Sequence, residues 1–170
     1  MYEYRITIMD KALLTVTEKI AKILANKGLK LSIAESCTGG FISNAITNFP
    51  GSSKFYDTGI ISYSENSKRS VLGIKTSTLK KYGTVSEETA IAMAESARKI
   101  TDSDISLSTT GVAGPDTIEG KQVGLIFMAV STPDMTEAKK INLTGNRATI
   151  KKQASLEALK FLHKVLKVWI

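Results

Sequence analysis

A chain of 170 residues with 42% hydrophobic and 23% charged residues is sized for one domain with a full core, and three prolines exclude collagen-like and disordered classes. A single cysteine, Cys37, excludes an internal disulfide and a multi-cysteine metal centre. The net charge of +7 is uneven: residues 121–170 hold nine Lys/Arg against three Asp/Glu, an excess suited to nucleic acid, a phosphorylated small molecule or plain solubility.

Residues 1–8 alternate weakly and read as a loose extension or a short edge strand. From Asp10, Leu13, Thr17, Ile20, Ala21 and Leu24 recur at helical spacing until Gly28. Lys30 to Ala34 reads as a strand, Thr38 to Asn48 as a helix, and Pro50-Gly51-Ser52-Ser53 as a turn. A second strand lies within Phe55 to Tyr63. Glu65 to Leu72 is helical, and Thr76 is the expected cap of a short helix ending at Gly83. Ser86 caps the next helix, whose stripe is Ala90, Ile91, Ala94, Ala97 and Ile100. Ile105 to Thr110 is a third strand, followed by the loop Gly111 to Gly120. Val123 to Ser131 and Ala138 to Leu143 are joined too tightly for anything but an antiparallel hairpin. A final helix, Asn146 to Val168, buries Ile150, Ala154, Ala158, Leu162, Val165 and Trp169.

Helix–strand alternation closed by one hairpin predicts an α/β fold: a three-layer α/β/α sandwich, in one domain, around a mixed, mostly parallel sheet. No apolar run reaches membrane-spanning length, and Met1-Tyr2-Glu3-Tyr4-Arg5 lacks a signal peptide's apolar core, so the expected location is the cytoplasm.

Four strand ends or helix starts carry ligand-type chemistry. The first is Ser36-Cys37-Thr38-Gly39-Gly40, where a strand gives way to a helix and free backbone N–H groups are expected. A serine nucleophile needs a base. The sole histidine, His163, sits late in the final helix beside its buried stripe, which leaves lysine. Lys68, just beyond the strand ending at Tyr63, is the candidate, provided that burial supplies a neutral amine; Tyr63 is placed to hydrogen-bond it. Thr110-Gly111-Val112-Ala113-Gly114-Pro115 offers a hydroxyl and close backbone approach. Asn146 caps the last helix with Arg147 in its first turn and Lys151 a turn later, an arrangement suited to phosphate. Each feature taken alone reads equally as a turn, an exposed lysine or a capped surface helix. There is no phosphate-binding P-loop, dinucleotide fingerprint or metal-ligand spacing, so no metal and no cofactor is expected.

In order and spacing, Ala34-Glu35-Ser36-Cys37-Thr38-Gly39-Gly40, Tyr63-x-x-x-x-Lys68 with Leu72-Gly73-Ile74, Tyr82-Gly83-x-Val85-Ser86, Thr110 to Pro115 and Gly145-x-Arg147 resemble the CinA C-terminal domain family, the nicotinamide mononucleotide deamidases. The resemblance implies a metal-free hydrolysis of the carboxamide of nicotinamide mononucleotide to nicotinate mononucleotide and ammonia. It implies Ser36 as the acylated nucleophile and Lys68 as its base, with Tyr63, counted with them as catalytic, and Thr110 lining and polarising the site, and Arg147 on the substrate's phosphate. Physical reasoning adds N–H groups around Thr38, Gly39 and Gly40 as an oxyanion hole, and Gly111 as a point of close backbone approach. Dimers would suit the family. The sequence departs from the family pattern at Glu65, at Asp116-Thr117-Ile118 and at Gln122, all of them loop positions.

Two other readings compete. Cys37 is an intrinsically better attacker than a serine if ionised. The basic C-terminal third suits a non-catalytic nucleotide- or nucleic-acid-binding module, although the aromatic–basic interleaving of single-strand binders is missing.

Overall fold

The computed structural model describes residues 8–170; the expectations for residues 1–7 lie outside the described residues. Helix α1 (Ile8–Lys27) begins two residues before Asp10, which sits favourably in its first turn, and stops at Gly28, whose positive φ ends it. Strand β1 (Leu31–Glu35) leads into helix α2 (Phe41–Thr47), followed by β2 (Tyr56–Ile61), α3 (Glu65–Ser70), α4 (Thr76–Tyr82), α5 (Glu87–Thr101), β3 (Ile105–Gly111), the hairpin β4 (Leu125–Ser131) and β5 (Thr136–Asn142), and α6 (Arg147–Trp169). Every expected strand and helix within the described residues is present, with shifted ends. The largest shift is in α2, which starts at Phe41 and not Thr38 because residues 37–40 make a turn. Thr76 is the first helical residue of α4 and not its cap; Lys75 holds the cap position without a side-chain bond. Ser86 and Asn146 cap as expected, accepting from the Thr89 and Thr149 N–H groups.

The sheet order is β2-β1-β3-β4-β5. β1 pairs in parallel with β2 and β3, while β4 runs against both β3 and β5, so β4 alone is reversed. This is the expected mixed, mostly parallel sheet. Helices α1, α2 and α6 pack together on one face, and α5 with α4 covers the other. The fold is therefore an α/β/α sandwich.

The two faces of the sheet are built differently. Toward α1 and α6 lie Leu31, Ile33, Ile105, Leu107, Ile126, Met128 and Val130, a continuous apolar core. Toward α5 lie Ser106 and Ser108, fully buried, whose hydroxyls donate to the Ala94 and Ala90 carbonyls at 2.6 Å each. Small residues on β3 meeting alanines on α5 allow close approach, and each hydroxyl is satisfied where burial would otherwise be costly. Ile100, expected in the buried stripe of α5, is exposed; that stripe ends at Ala97.

This architecture fixes the site's location. β1, β2 and β3 all end at the same sheet edge, and the segments leaving them, residues 36–40, 62–68 and 112–124, converge there.

Candidate active site

Ser36 extends the β1–β3 ladder by one residue, its N–H donating to the Thr109 carbonyl at 3.0 Å. Its side chain is thereby anchored on rigid sheet and not on a loop tip. Lys68 arrives from α3. Ser64 and Ser67 cap each other reciprocally at the start of that helix, which fixes the direction from which Lys68 enters. Lys68 is 1% exposed, and its Nζ lies 2.9 Å from Ser36 Oγ and 2.8 Å from the Ser62 carbonyl oxygen. Among the described residues no carboxylate forms an ion pair with it. Burial of the ammonium without a counter-ion lowers its pKa from 10.5 to about 8. A serine hydroxyl thus faces an amine that can be neutral near physiological pH.

Cys37 is buried next to the pair. Burial pushes its thiol up to about 12, which disfavours the thiolate that the alternative reading of Cys37 as nucleophile requires. His163 lies on α6 and does not line the cavity.

A cavity of about 90 Å³ opens over Ser36 and Lys68. Tyr63, Thr110, Gly111 and Arg147 line it as expected, together with Thr84, Val85, Ala113 and Ile118. Tyr63 differs from expectation in its partner: its hydroxyl accepts from Arg147 Nη2 at 2.6 Å, while Lys68 takes the Ser62 carbonyl as its second contact. Arg147 also donates to the Gly114 carbonyl at 2.5 Å. Both partners are neutral, and among the described residues no carboxylate pairs with the guanidinium, which stands exposed at the cavity mouth. Thr110 donates its hydroxyl to the Thr84 carbonyl at 2.7 Å, tying the loop after β3 to the segment between α4 and α5. At Gly111 a Cβ would meet Ile126 and the Leu125 carbonyl oxygen at about 2.5–2.6 Å, so this glycine also answers to strand packing.

Thr38, Gly39 and Gly40 do not line the cavity. The Gly39 N–H donates to the Ser36 carbonyl, and Thr38 Oγ1 shares a bond with Thr109 Oγ1 at 2.8 Å. The Gly40 N–H donates to Glu35 Oε2 at 2.8 Å, and the Ile42 and Ser43 N–H groups and the Ser43 hydroxyl also donate to the Glu35 carboxylate. Fully buried Glu35 thus caps α2 from the end of β1 and takes the Gly40 N–H, one of the donors expected to face a substrate, while the Gly39 N–H is spent on the Ser36 carbonyl. Its place in the motif, immediately before Ser36, was visible in the sequence, but its reach across the turn was not. Thr84 and Val85 lie within the Tyr82-to-Ser86 block, which pointed to that segment without assigning it a role. Among the described residues no group of three or more His, Cys, Asp or Glu is placed to hold a metal ion, and no helix is long and apolar enough to cross a membrane.

Residues 13–166 match the model of the CinA C-terminal domain. The chain belongs to this family. A competence-damage inducible protein of Caldicellulosiruptor saccharolyticus is 45% identical over 153 residues, covering 89% of this chain and 37% of that protein. One from Caldanaerobacter subterraneus is 44% identical over 150 residues, with 88% and 36% covered. The chain therefore spans little more than a third of the length of these curated relatives. Among solved structures, competence damage-inducible protein A of Klebsiella pneumoniae superposes with a TM-score of 0.90 at 31% identity, covering 93% of this chain and 99% of that one. A CinA superfamily protein of Escherichia coli gives 0.87 at 28% identity, with 96% and 98% covered.

Proposed function

We propose that this CinA-family chain is a serine–lysine amidohydrolase that converts nicotinamide mononucleotide to nicotinate mononucleotide and ammonia. The observation that carries this reading is the buried contact of 2.9 Å between Lys68 Nζ and Ser36 Oγ, with no carboxylate among the described residues paired to the lysine.

In the proposed reaction neutral Lys68 takes the Ser36 proton as Oγ attacks the carboxamide carbon, forming the C–O bond. The C–N bond then breaks, Lys68 returns the proton to the departing nitrogen, and ammonia leaves an acyl-serine. Neutral again, the same lysine takes a proton from water as its oxygen attacks the ester carbon, and gives that proton to Ser36 Oγ as the Oγ–C bond breaks and the carboxylate leaves. The Ser62 carbonyl holds the amine in line throughout. The cavity's size suits the carboxamide end of a substrate, and the exposed guanidinium of Arg147 at the mouth suits a phosphate. The mouth residue Tyr63 would orient that guanidinium, and Thr110 would brace the wall beside it.

Incubation of the purified protein with nicotinamide mononucleotide is expected to release ammonia, and Ser36→Ala to abolish the release. Turnover persisting in Ser36→Ala would remove the serine from the mechanism.

A further inference from the structure

The outer wall of the cavity carries an uncommon backbone. Ile118 and Lys121 exchange backbone hydrogen bonds, the Lys121 N–H to the Ile118 carbonyl at 2.9 Å and the Ile118 N–H to the Lys121 carbonyl at 3.3 Å. Between them Glu119 and Gly120 form a two-residue turn with φ of 54° and 71°. Turns with both central residues at positive φ favour Asn, Asp or Gly first, because a longer side chain suffers the Cβ clash without local compensation. Such a conformation persists only where its surroundings hold it, and it concentrates at functional sites.

The surroundings here are specific. Glu119 Oε1 accepts from the Thr84 N–H at 2.8 Å and from the Thr84 hydroxyl at 2.6 Å. Its Oε2 pairs with Lys121 Nζ at 2.8 Å, and the same Nζ donates to the Tyr82 carbonyl. Gly83 leaves the room required: a Cβ there would collide with Glu119 Oε2 and come within 2.7 Å of Lys121 Nζ. Burial alone would raise the Glu119 carboxyl, but Lys121 and Thr84 outweigh it and hold it at about 2, so the latch stays charged throughout the neutral range. The turn is thereby clamped to the α4–α5 connection, the segment that also places Thr84 and Val85 in the cavity wall.

What the clamped turn presents is Ile118. This side chain is 45% exposed, packs in none of the buried apolar clusters, and lines the cavity with Ser36 and Lys68. A branched aliphatic group held rigidly beside a nucleophile has the shape and chemistry to lie against the face of a flat ring.

We propose that Ile118 is a specificity-determining contact for the aromatic ring of the amide substrate, and that Glu119 is the positioning residue that holds it there through Thr84. The inference rests on the amidase reading above. Contact with a ring that does not change during the reaction stabilises ground and transition states alike, so its loss falls on KM and leaves kcat in place.

The experiment compares ammonia release from nicotinamide mononucleotide by wild type, Ile118→Ala, Glu119→Ala and the double variant. The rate at which a fluorophosphonate labels Ser36 is measured in parallel. Each single substitution is expected to raise KM by about tenfold, the order of a lost aliphatic contact. The kcat is expected to stay within about twofold, and labelling of Ser36 to be unchanged. In the Ile118→Ala background Glu119→Ala should then add less than about twofold, because its effect passes through Ile118. Unchanged KM in the single variants, multiplicative effects in the double, or loss of Ser36 labelling would each overturn the proposal. Wild-type protein that labels at Ser36 yet releases no ammonia would instead overturn the substrate assignment on which it stands.

Discussion

The two ends of the cavity differ in solvation, and in the proposed mechanism that difference separates chemistry from recognition. At the floor, Lys68 and Ser36 are out of water, held on sheet and capped helix, and burial lowers the lysine to about 8. At the mouth, Tyr63 is 60% exposed and Arg147 is exposed, its bonds among the described residues going to neutral oxygens. A proton acceptor has to be desolvated to be neutral near pH 7, whereas an anion anchor has to keep its charge and admit ligand from water. The floor therefore carries a lysine of lowered pKa, and the mouth carries a charge that no carboxylate among the described residues pairs with.

The largest expected effect lies at the floor. Lys68→Met should lower kcat for ammonia release by about 10⁴-fold or more, since the remaining serine has no base. A variant retaining turnover within tenfold of wild type would move the base elsewhere. In the proposed mechanism the same residue sets the pH profile: the neutral amine is its active form, so kcat/KM should rise with pH to a plateau through an apparent pKa of about 8. A limb near the ordinary histidine value would point to a different titrating group.

Burying Lys68 also leaves a signature in stability. Its folded pKa of about 8 lies below the ordinary 10.5, so between these values the unfolded chain holds a proton that the folded chain does not. Stability then rises across that window, and the penalty stands in full below it, on the order of 3 kcal/mol. Measured by denaturant unfolding, wild type should gain this amount relative to Lys68→Met between pH 8 and pH 10.5. A parallel pH dependence of the two proteins would contradict burial as the cause.

Effects at the mouth should be smaller and of another kind. Arg147→Ala is expected to raise KM for the nucleotide by about 10–100-fold, with kcat and activity on the unphosphorylated riboside little changed. An equal loss on both substrates would divorce Arg147 from the phosphate. Tyr63→Phe removes one acceptor from that guanidinium and should cost about threefold to tenfold in KM alone. A loss confined to kcat would instead place Tyr63 in the chemistry at the floor.

Much of this was legible in the sequence because it depends on local order. Helical spacing, strand runs and caps such as Ser86 and Asn146 report on neighbours a few residues away, and these elements occur in the structure with shifted ends. The pairing of Ser36 with Lys68 was legible for a related reason: both follow parallel strands, and adjacent parallel strands end at one edge. The family motifs then named the same two residues. The tertiary structure decided which donors and acceptors were already taken. Glu35 turns across the glycine pair to cap α2, Ser62 rather than Tyr63 holds Lys68, and Thr110 spends its hydroxyl on Thr84. It also decided that an isoleucine and a strained glutamate, in a loop marked in the sequence only by its departure from the family pattern, become a clamped wall of the cavity. These outcomes rest on hydrogen-bond competition between segments distant in the chain, and each buried polar group goes to the partner that folding brings nearest. Periodicity and spacing record which residues share an element or an edge; they carry no record of that competition.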